Sequence, residues 1–206
     1  MGIRLPPHMV QVEGGFREVL EYRDVKEVME KGPQMIRTGG GQELWRQYLE
    51  CRRDLYGHLC PQERDCSLLS EANWVMRRSC ACGEAIGIRP RKGDICYMDF
   101  GQAYLNEAGY QHFGLVMSIC HKKALVIPMT SNVTQYQNAL SADNPDGRPH
   151  LMQIGQVPGM HKPSVLFLND MKYVNTARII CIRAHIDEDS RLFRQIRRRM
   201  VEVLQD

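Results

Sequence analysis

The residues best suited to chemistry are a histidine in a polar loop and two hydroxyl side chains in a separate segment. His112 stands close to Glu107 and Tyr110 in that loop, and Thr130 and Ser131 directly follow an apolar run. A histidine with an ordinary pKa of about 6.5 takes up and releases a proton near neutral pH. Hydroxyl groups both donate and accept hydrogen bonds. The combination suits general acid–base chemistry, although a lone loop histidine is more commonly a solvated surface group.

Short apolar runs flank these residues and predict the strands that position them. Turn-forming or basic residues at positions 92–94 and 121–123 separate the first runs. Runs of this length between turn signals are typical of β-strands in a small barrel or sheet, with polar groups at the strand ends. Strands are therefore predicted at residues 95–100, 115–119, 125–129, 150–154 and 164–168.

Helical periodicity dominates the first part of the chain. Apolar residues recur at three- and four-residue steps over residues 16–31, 42–59 and 67–85. Acidic residues at 187–189 precede another apolar helical face, which predicts a C-terminal helix. We therefore expect an α+β fold, with an α-helical N-terminal segment at residues 1–88 and a barrel domain at residues 89–206.

Composition excludes several classes of protein. The 206 residues carry a formal net charge of +3, which is compatible with a nucleic-acid partner without requiring one. The chain has no apolar run long enough to span a membrane and no secretory signal at its start, so we expect a cytoplasmic protein. The eight cysteines are scattered, which predicts reduced and mostly buried thiols rather than disulfides. Cys80 and Cys82 are too closely spaced for the usual zinc knuckle, and we expect no metal and no cofactor.

Several short fragments in the second part of the chain occur in the order seen in a known family. They are KGD at 92–94, NE at 106–107, QHF at 111–113, PMTS at 128–131, KPSVLFLND at 162–170 and KYVNTAR at 172–178. Through them, residues from about 90 to 206 resemble the MazF/PemK (Kid) toxins of type II toxin–antitoxin systems. The resemblance implies a small SH3-like β-barrel of the MazF/Kid/CcdB type with a C-terminal helix.

The resemblance also implies an activity, the metal-independent cleavage of single-stranded RNA. RNA carries its own nucleophile, the 2′-hydroxyl, which also distinguishes it from DNA. An enzyme of this type removes the hydroxyl proton, holds the phosphate in line and protonates the departing 5′-oxygen, leaving a 2′,3′-cyclic phosphate.

The family's motif assigns roles to particular positions of this sequence. The catalytic-loop arginine of the family falls on His112, and its strand-end threonine falls on Thr130. His112 is expected to be the general acid–base, because imidazole suits proton transfer better than it suits clamping phosphate. Lys172, at the position of a second family arginine, is expected to supply charge to the phosphate. Supporting roles are expected for Ser131 as a hydrogen-bond donor, for Glu107 in orienting His112 or pinning the loop, and for Tyr104, Tyr110 and Phe113 in stacking on bases.

Two classes of function stay open at this point. In the first, the protein is an endoribonuclease toxin with a cognate antitoxin protein, and it forms a homodimer as the family commonly does. In the second, it is a non-catalytic barrel that binds nucleic acid or a protein partner. The histidine at the arginine position leaves both open, and the role of the helical segment is not indicated by the resemblance.

Overall fold

The computed structural model describes residues 9–12, 15–18, 41–104, 106–141 and 143–205. The chain divides into two compact units, Met1–Cys60 and Pro61–Asp206. Each unit is considered separately below. The predicted domain boundary at residues 88/89 stays a prediction.

The first unit contains a hairpin and a long helix. Strands β1 (Met9–Val12) and β2 (Gly15–Glu18) pair in antiparallel fashion, with Val12 opposite Gly15. The helix predicted at residues 16–31 is wrong for residues 16–18, and its remainder lies outside the described residues. Two residues, one of them glycine, separate Val12 from Gly15. This spacing is typical of a β-hairpin and outweighs the helical periodicity of the residues that follow. Helix α1 (Gly41–His58) confirms the helix predicted at 42–59.

The second unit begins with a helix that starts earlier than predicted. Helix α2 spans Pro61–Arg77 instead of residues 67–85. Proline is favoured at the first helical position, where its missing N–H has no partner to lose, so Pro61 starts this helix. A short 3₁₀ turn, Gly83–Ile86, follows it.

Helix α2 meets the sheet through its polar side chains. Arg77 donates to the carbonyl oxygen of Ile179 at 2.9 Å, and Ser70 donates to Asp99. Its larger apolar side chains, by contrast, are exposed, including Leu69 at 59% and Met76 at 77%. The apolar stripe that the sequence offers as packing surface therefore does not form the contact with the barrel.

The remaining elements of the second unit are eight strands and two helices. They are β3 (Asp94–Asp99), β4 (Gln111–Cys120), β5 (Lys123–Thr130), α3 (Val133–Asn138), β6 (Ala139–Leu140), β7 (Arg148–Gly155), β8 (Ser164–Phe167), β9 (Lys172–Asn175), β10 (Ile179–His185) and α4 (Arg191–Val203).

Five of these strands form a ring. Strands β10, β3, β4 and β5 pair in that order, and β9 pairs with the first half of β5. Only the 3₁₀ turn Thr176–Arg178 separates β9 from β10, so it joins the two ends of the row. Buried side chains from all five strands pack together, among them Met98, Val116, Val126, Val174 and Ile179. The ring is a small SH3-like barrel, and the predicted α+β fold is confirmed.

A second core lies on the other face of β3, β4 and β5. Successive side chains of a strand point to opposite faces, so Ile95, Leu115 and Ile127 belong to this core while their neighbours fill the barrel. Strands β7 and β8 and helix α4 cover it, with Phe193 and Ile196 fully buried. The predicted C-terminal helix is thereby confirmed.

Three expectations from the sequence differ from the structure. The polar stretch 132–149, predicted as a long loop, contains α3 and β6. Strands β9 and β10 were not predicted. The expectation of mostly buried cysteines is wrong, since Cys96 alone of the eight is buried; all eight are free thiols. Among the described residues, no helix is long and apolar enough to cross a membrane.

Candidate functional site

His112 and Thr130 lie side by side at the open end of the β4–β5 ladder. The last paired residues of that ladder are Phe113 and Met129, so His112 and Thr130 occupy the next register step. Thr130 pairs on its other side with Val165 of β8. Its Oγ1 accepts a hydrogen bond from the backbone N–H of Asn132 at 3.2 Å, which leaves the hydroxyl proton available to a ligand.

These two side chains open into a groove of about 480 Å³. The loop before β4 forms one wall, strand β7 forms another, and the end of β8 with the following turn completes it. The lining groups that carry charge or can exchange protons are Glu107, His112, Thr130, Arg148, His150 and Asp170.

The imidazole of His112 is in the protonation state that a general base needs. His112 is exposed to solvent at the surface of the groove, and partial desolvation by the surrounding protein atoms lowers its pKa. The ring is therefore neutral at pH 7. It forms no hydrogen bond with any residue in the described ranges, so both ring nitrogens can reach a ligand.

Glu107 does not orient His112 through a hydrogen bond in the described structure. Its Oε2 accepts a hydrogen bond from the backbone N–H of Tyr104 at 3.3 Å, within the same loop. Of the two roles expected for Glu107, this contact matches the pinning of the loop.

Lys172 sits beside the groove rather than in its lining. Its Nζ lies 3.1 Å from Oδ1 of Asp170 and 3.5 Å from the carbonyl oxygen of Ala108. The ammonium also lies 5.6 Å from the centre of the Phe100 ring. Asp170 thus balances the charge of Lys172. The main electrostatic effect of Lys172 on the groove is to neutralise the carboxylate of Asp170, which lines it.

Sequence reasoning missed the arginine of this groove. Arg148 and His150 are two residues apart on β7, so both face the same way and both line the groove. The guanidinium of Arg148 forms no ion pair with any described residue. The signal available in the sequence was weak: two basic residues at alternate positions where a predicted strand begins.

A second groove, also of about 480 Å³, adjoins the first through Met129 and Thr130. Phe113 and Ser131 line it, as does Tyr97, whose ring centre lies 5.1 Å from that of Phe113. Basic side chains in its lining are His161, Lys162 and Arg183. The structure therefore places an aromatic pair beside the His112 groove, with Phe113 as the predicted member and Tyr97 as the one that was missed.

The other two predicted aromatic residues lie outside both grooves. The side chain of Tyr104 is 87% exposed. Tyr110 has a positive φ of 56°, and its backbone bonds with Phe100 and Gly101 hold the loop against the end of β3. The positions of the two grooves do not support base stacking by either tyrosine. The backbone bonds of Tyr110 support a role for this residue in holding the loop.

No protein-family model matches the chain, and no curated protein sequence does. Solved structures that it resembles are MazF toxins. A MazF from Deinococcus radiodurans (crystal form I) is 15% identical over 58% of this chain and 99% of its own, with a TM-score of 0.43. The toxin MazF-mt6 from Mycobacterium tuberculosis is 10% identical over 54% and 96%, with a TM-score of 0.39. A MazE–MazF complex from D. radiodurans gives 17% identity over 56% and 96%, with a TM-score of 0.38.

Proposed function

We propose that the protein is a metal-independent endoribonuclease of the MazF/PemK type that cleaves single-stranded RNA at the His112 groove. The observation that carries the proposal is the placement of His112 and Thr130 on one register step, in a groove that also holds Arg148. Phosphodiester transfer with an internal nucleophile requires a general acid–base and fixed positive or hydrogen-bonding groups around the phosphate, and an imidazole, a guanidinium and a hydroxyl can supply them.

In the proposed reaction, neutral His112 takes the proton from the 2′-hydroxyl. The 2′-oxygen then attacks the adjacent phosphorus, and the bond from phosphorus to the 5′-oxygen breaks. The departing 5′-oxygen receives a proton, either from the imidazolium of His112 or through water. The products are a 2′,3′-cyclic phosphate and a free 5′-hydroxyl, and no metal ion takes part in this balance.

Charge on the phosphate is countered by hydrogen-bond donors around it. Thr130 donates from its hydroxyl, with Ser131 close by, and Arg148 supplies a guanidinium that can bind two phosphate oxygens at once. Lys172 stays a proposed contributor, and its link to Asp170 makes its contribution the smaller of the two. Phe113 and Tyr97 offer ring faces to a base next to the scissile bond.

The resemblance to toxins carries two proposals about partners. A cognate antitoxin protein would block the groove, and the toxin would form a homodimer. Growth arrest on expression, relieved by co-expression of an antitoxin, tests the first, and light scattering of the purified chain tests the second.

A second candidate function has one observation in its favour. The carboxylates of Glu107 and Asp170 offset the positive charges of Arg148 and of the neighbouring Lys172, so these four groups give the groove no net positive charge. A barrel that binds nucleic acid or a protein partner without cutting RNA would need no more positive charge in this groove.

The test is cleavage of a defined RNA in excess chelator, with the new ends mapped. We expect wild-type protein to produce 2′,3′-cyclic phosphate ends and His112→Ala to produce none while its circular dichroism spectrum is unchanged. His121→Asn is the matched control: it removes a histidine at the opposite end of β4, and asparagine tolerates the positive φ of 52° there. Binding without cleavage by the wild-type protein would favour the second function, and activity that only added metal restores would exclude the proposed mechanism.

A further inference from the structure

The exposed face of helix α4 carries a stripe of arginines that the proposed reaction does not use. Arg191, Arg194 and Arg198 recur at three- and four-residue steps, so they lie along one side of the helix. With Gln195 they line a shallow depression of about 410 Å³. The stripe runs for about 10 Å along the helix axis, at 1.5 Å per residue.

The charge of this stripe is largely unbalanced. Arg198 lies 3.5 Å from Glu202, but Arg191 and Arg194 form no ion pair with any residue that the structure describes. Like charges at this spacing repel one another and weaken a helix. Arg191 also lies in the first turn, where the helix dipole disfavours a cation. A bound polyanion would relieve both the mutual repulsion of these arginines and the unfavourable position of Arg191.

The helix that carries the stripe contacts a wall of the His112 groove. Arg199, adjacent to Arg198, donates a hydrogen bond at 2.6 Å to the carbonyl oxygen of Pro149. Pro149 lies between Arg148 and His150, which line the groove. Arg199 is also paired with Glu202 at 2.8 Å, so its own charge is balanced. Arg191, Arg194 and Arg198 are thus carried by the helix that contacts the start of β7, where Arg148 and His150 line the groove.

We propose that this stripe is a binding track for the sugar–phosphate backbone of RNA that extends beyond the scissile site. The inference rests on the proposed function, because the groove gives the track its direction. Arginine suits phosphate recognition without base specificity. The opposite face of α4 is filled by Phe193 and Ile196 in the core, so the helix has no apolar face left to insert into a membrane.

The experiment measures binding of RNA about 16 nucleotides long, within the range of single-strand site sizes. The RNA is fully 2′-O-methylated, so it cannot be cut, and affinity is measured over a series of salt concentrations. Arg191→Gln/Arg194→Gln should lower the slope of log affinity against log salt by about 1.4, because each phosphate neutralised on a single strand contributes about 0.7. Lys122→Gln/Lys123→Gln, at the far end of the β4–β5 hairpin, removes the same charge and should leave the slope near that of wild type.

An RNA of about 4 nucleotides, at the lower limit of those site sizes, should bind the arginine variant and the wild type alike, since it fills the groove alone. Equal slopes for the arginine and lysine variants would overturn the track. So would a variant that loses affinity for an acidic polypeptide or for anionic vesicles but keeps its affinity for the longer RNA. If wild-type protein fails to cut unmodified RNA while the slopes differ as expected, the nuclease proposal fails and the track stands as an RNA-binding surface.

Discussion

The hydroxyl of Ser70 donates a hydrogen bond at 2.8 Å to Oδ1 of Asp99, which joins helix α2 to the end of strand β3. Asp99 is buried and also accepts from Asn73, Gln111 and the backbone N–H of Gly101. Gln111 immediately precedes His112. One buried carboxylate thus connects the helix, the end of the strand and the start of the strand that carries the candidate base.

Replacement of Asp99 should destabilise the second unit. Asp99→Ala removes the acceptor for several partly or fully buried donors, and leaving such groups unsatisfied costs about 1–3 kcal/mol or more. The free energy of unfolding in urea measures the effect. Asp143→Ala, which removes an exposed aspartate, is the control and should change stability by less than about 0.5 kcal/mol. An equal effect of both substitutions would show that the Asp99 contacts do not hold α2 to the sheet.

The pH profile of cleavage should have its acidic limb below the ordinary histidine pKa. Desolvation lowers the pKa of His112. The neutral base therefore persists as the pH falls through about 6.5, and activity is lost only at lower pH. The dependence of kcat/KM on pH measures this, with an NMR titration of the His112 ring as an independent reading. A limb at or above pH 6.5 that coincides with the His112 titration would contradict the expected effect of burial.

Removing a positive charge from the groove should weaken its action on RNA, and removing a negative charge should strengthen RNA binding. Arg148→Gln should lower kcat/KM at least about tenfold, because a hydrogen bond to a charged group contributes about 1.5–3 kcal/mol. Asp170→Asn should raise RNA affinity, since it releases the Lys172 ammonium while the amide oxygen can still accept from Ala108. Both are read from steady-state kinetics and RNA titrations at constant salt. If Arg148→Gln leaves kcat/KM unchanged, Arg148 does not contact the phosphate.

Substitution of the aromatic pair should weaken RNA binding without unfolding the protein. Phe113→Leu keeps an apolar side chain against the core but removes the ring face, and base stacking contributes about 1–3 kcal/mol per base. We expect affinity to fall about fivefold or more, by fluorescence anisotropy. Tyr104→Ala is the control, because Tyr104 lines neither groove. A larger loss for Tyr104→Ala than for Phe113→Leu would place the base elsewhere.

The central strands of the barrel could be predicted because their side chains are buried on both faces. Strands β3, β4 and β5 therefore appear in the sequence as continuous apolar runs. Strand β10 begins with a short apolar run at residues 179–182, but two register shifts in its pairing with β3 interrupt the alternation of its side chains, and Ile179 is its single buried residue. Strand β9 has a single buried residue, Val174, and resembles a turn.

The candidate site was predictable only where a motif marked it. The motif led to His112 and Thr130, and the β4–β5 register brings them together. Arg148 reaches the same groove because β7 pairs with β8 and β8 pairs with β5. No local pattern in the sequence encodes those two pairings. The partner of Lys172, Asp170, is only two positions away, but their ion pair depends on side-chain directions that spacing alone does not give.

The pairing of β10 with β3 makes closure of the barrel a late event in synthesis. One edge of β3 pairs with β10, and Ile179 follows Asp99 by 80 positions. Until that stretch leaves the ribosome, β3 presents unpaired backbone groups that could recruit another nascent chain. Chaperone capture of a translation product stalled before Ile179 is therefore the expected fate of an incomplete molecule, and the barrel forms only after the ribosome has passed that point.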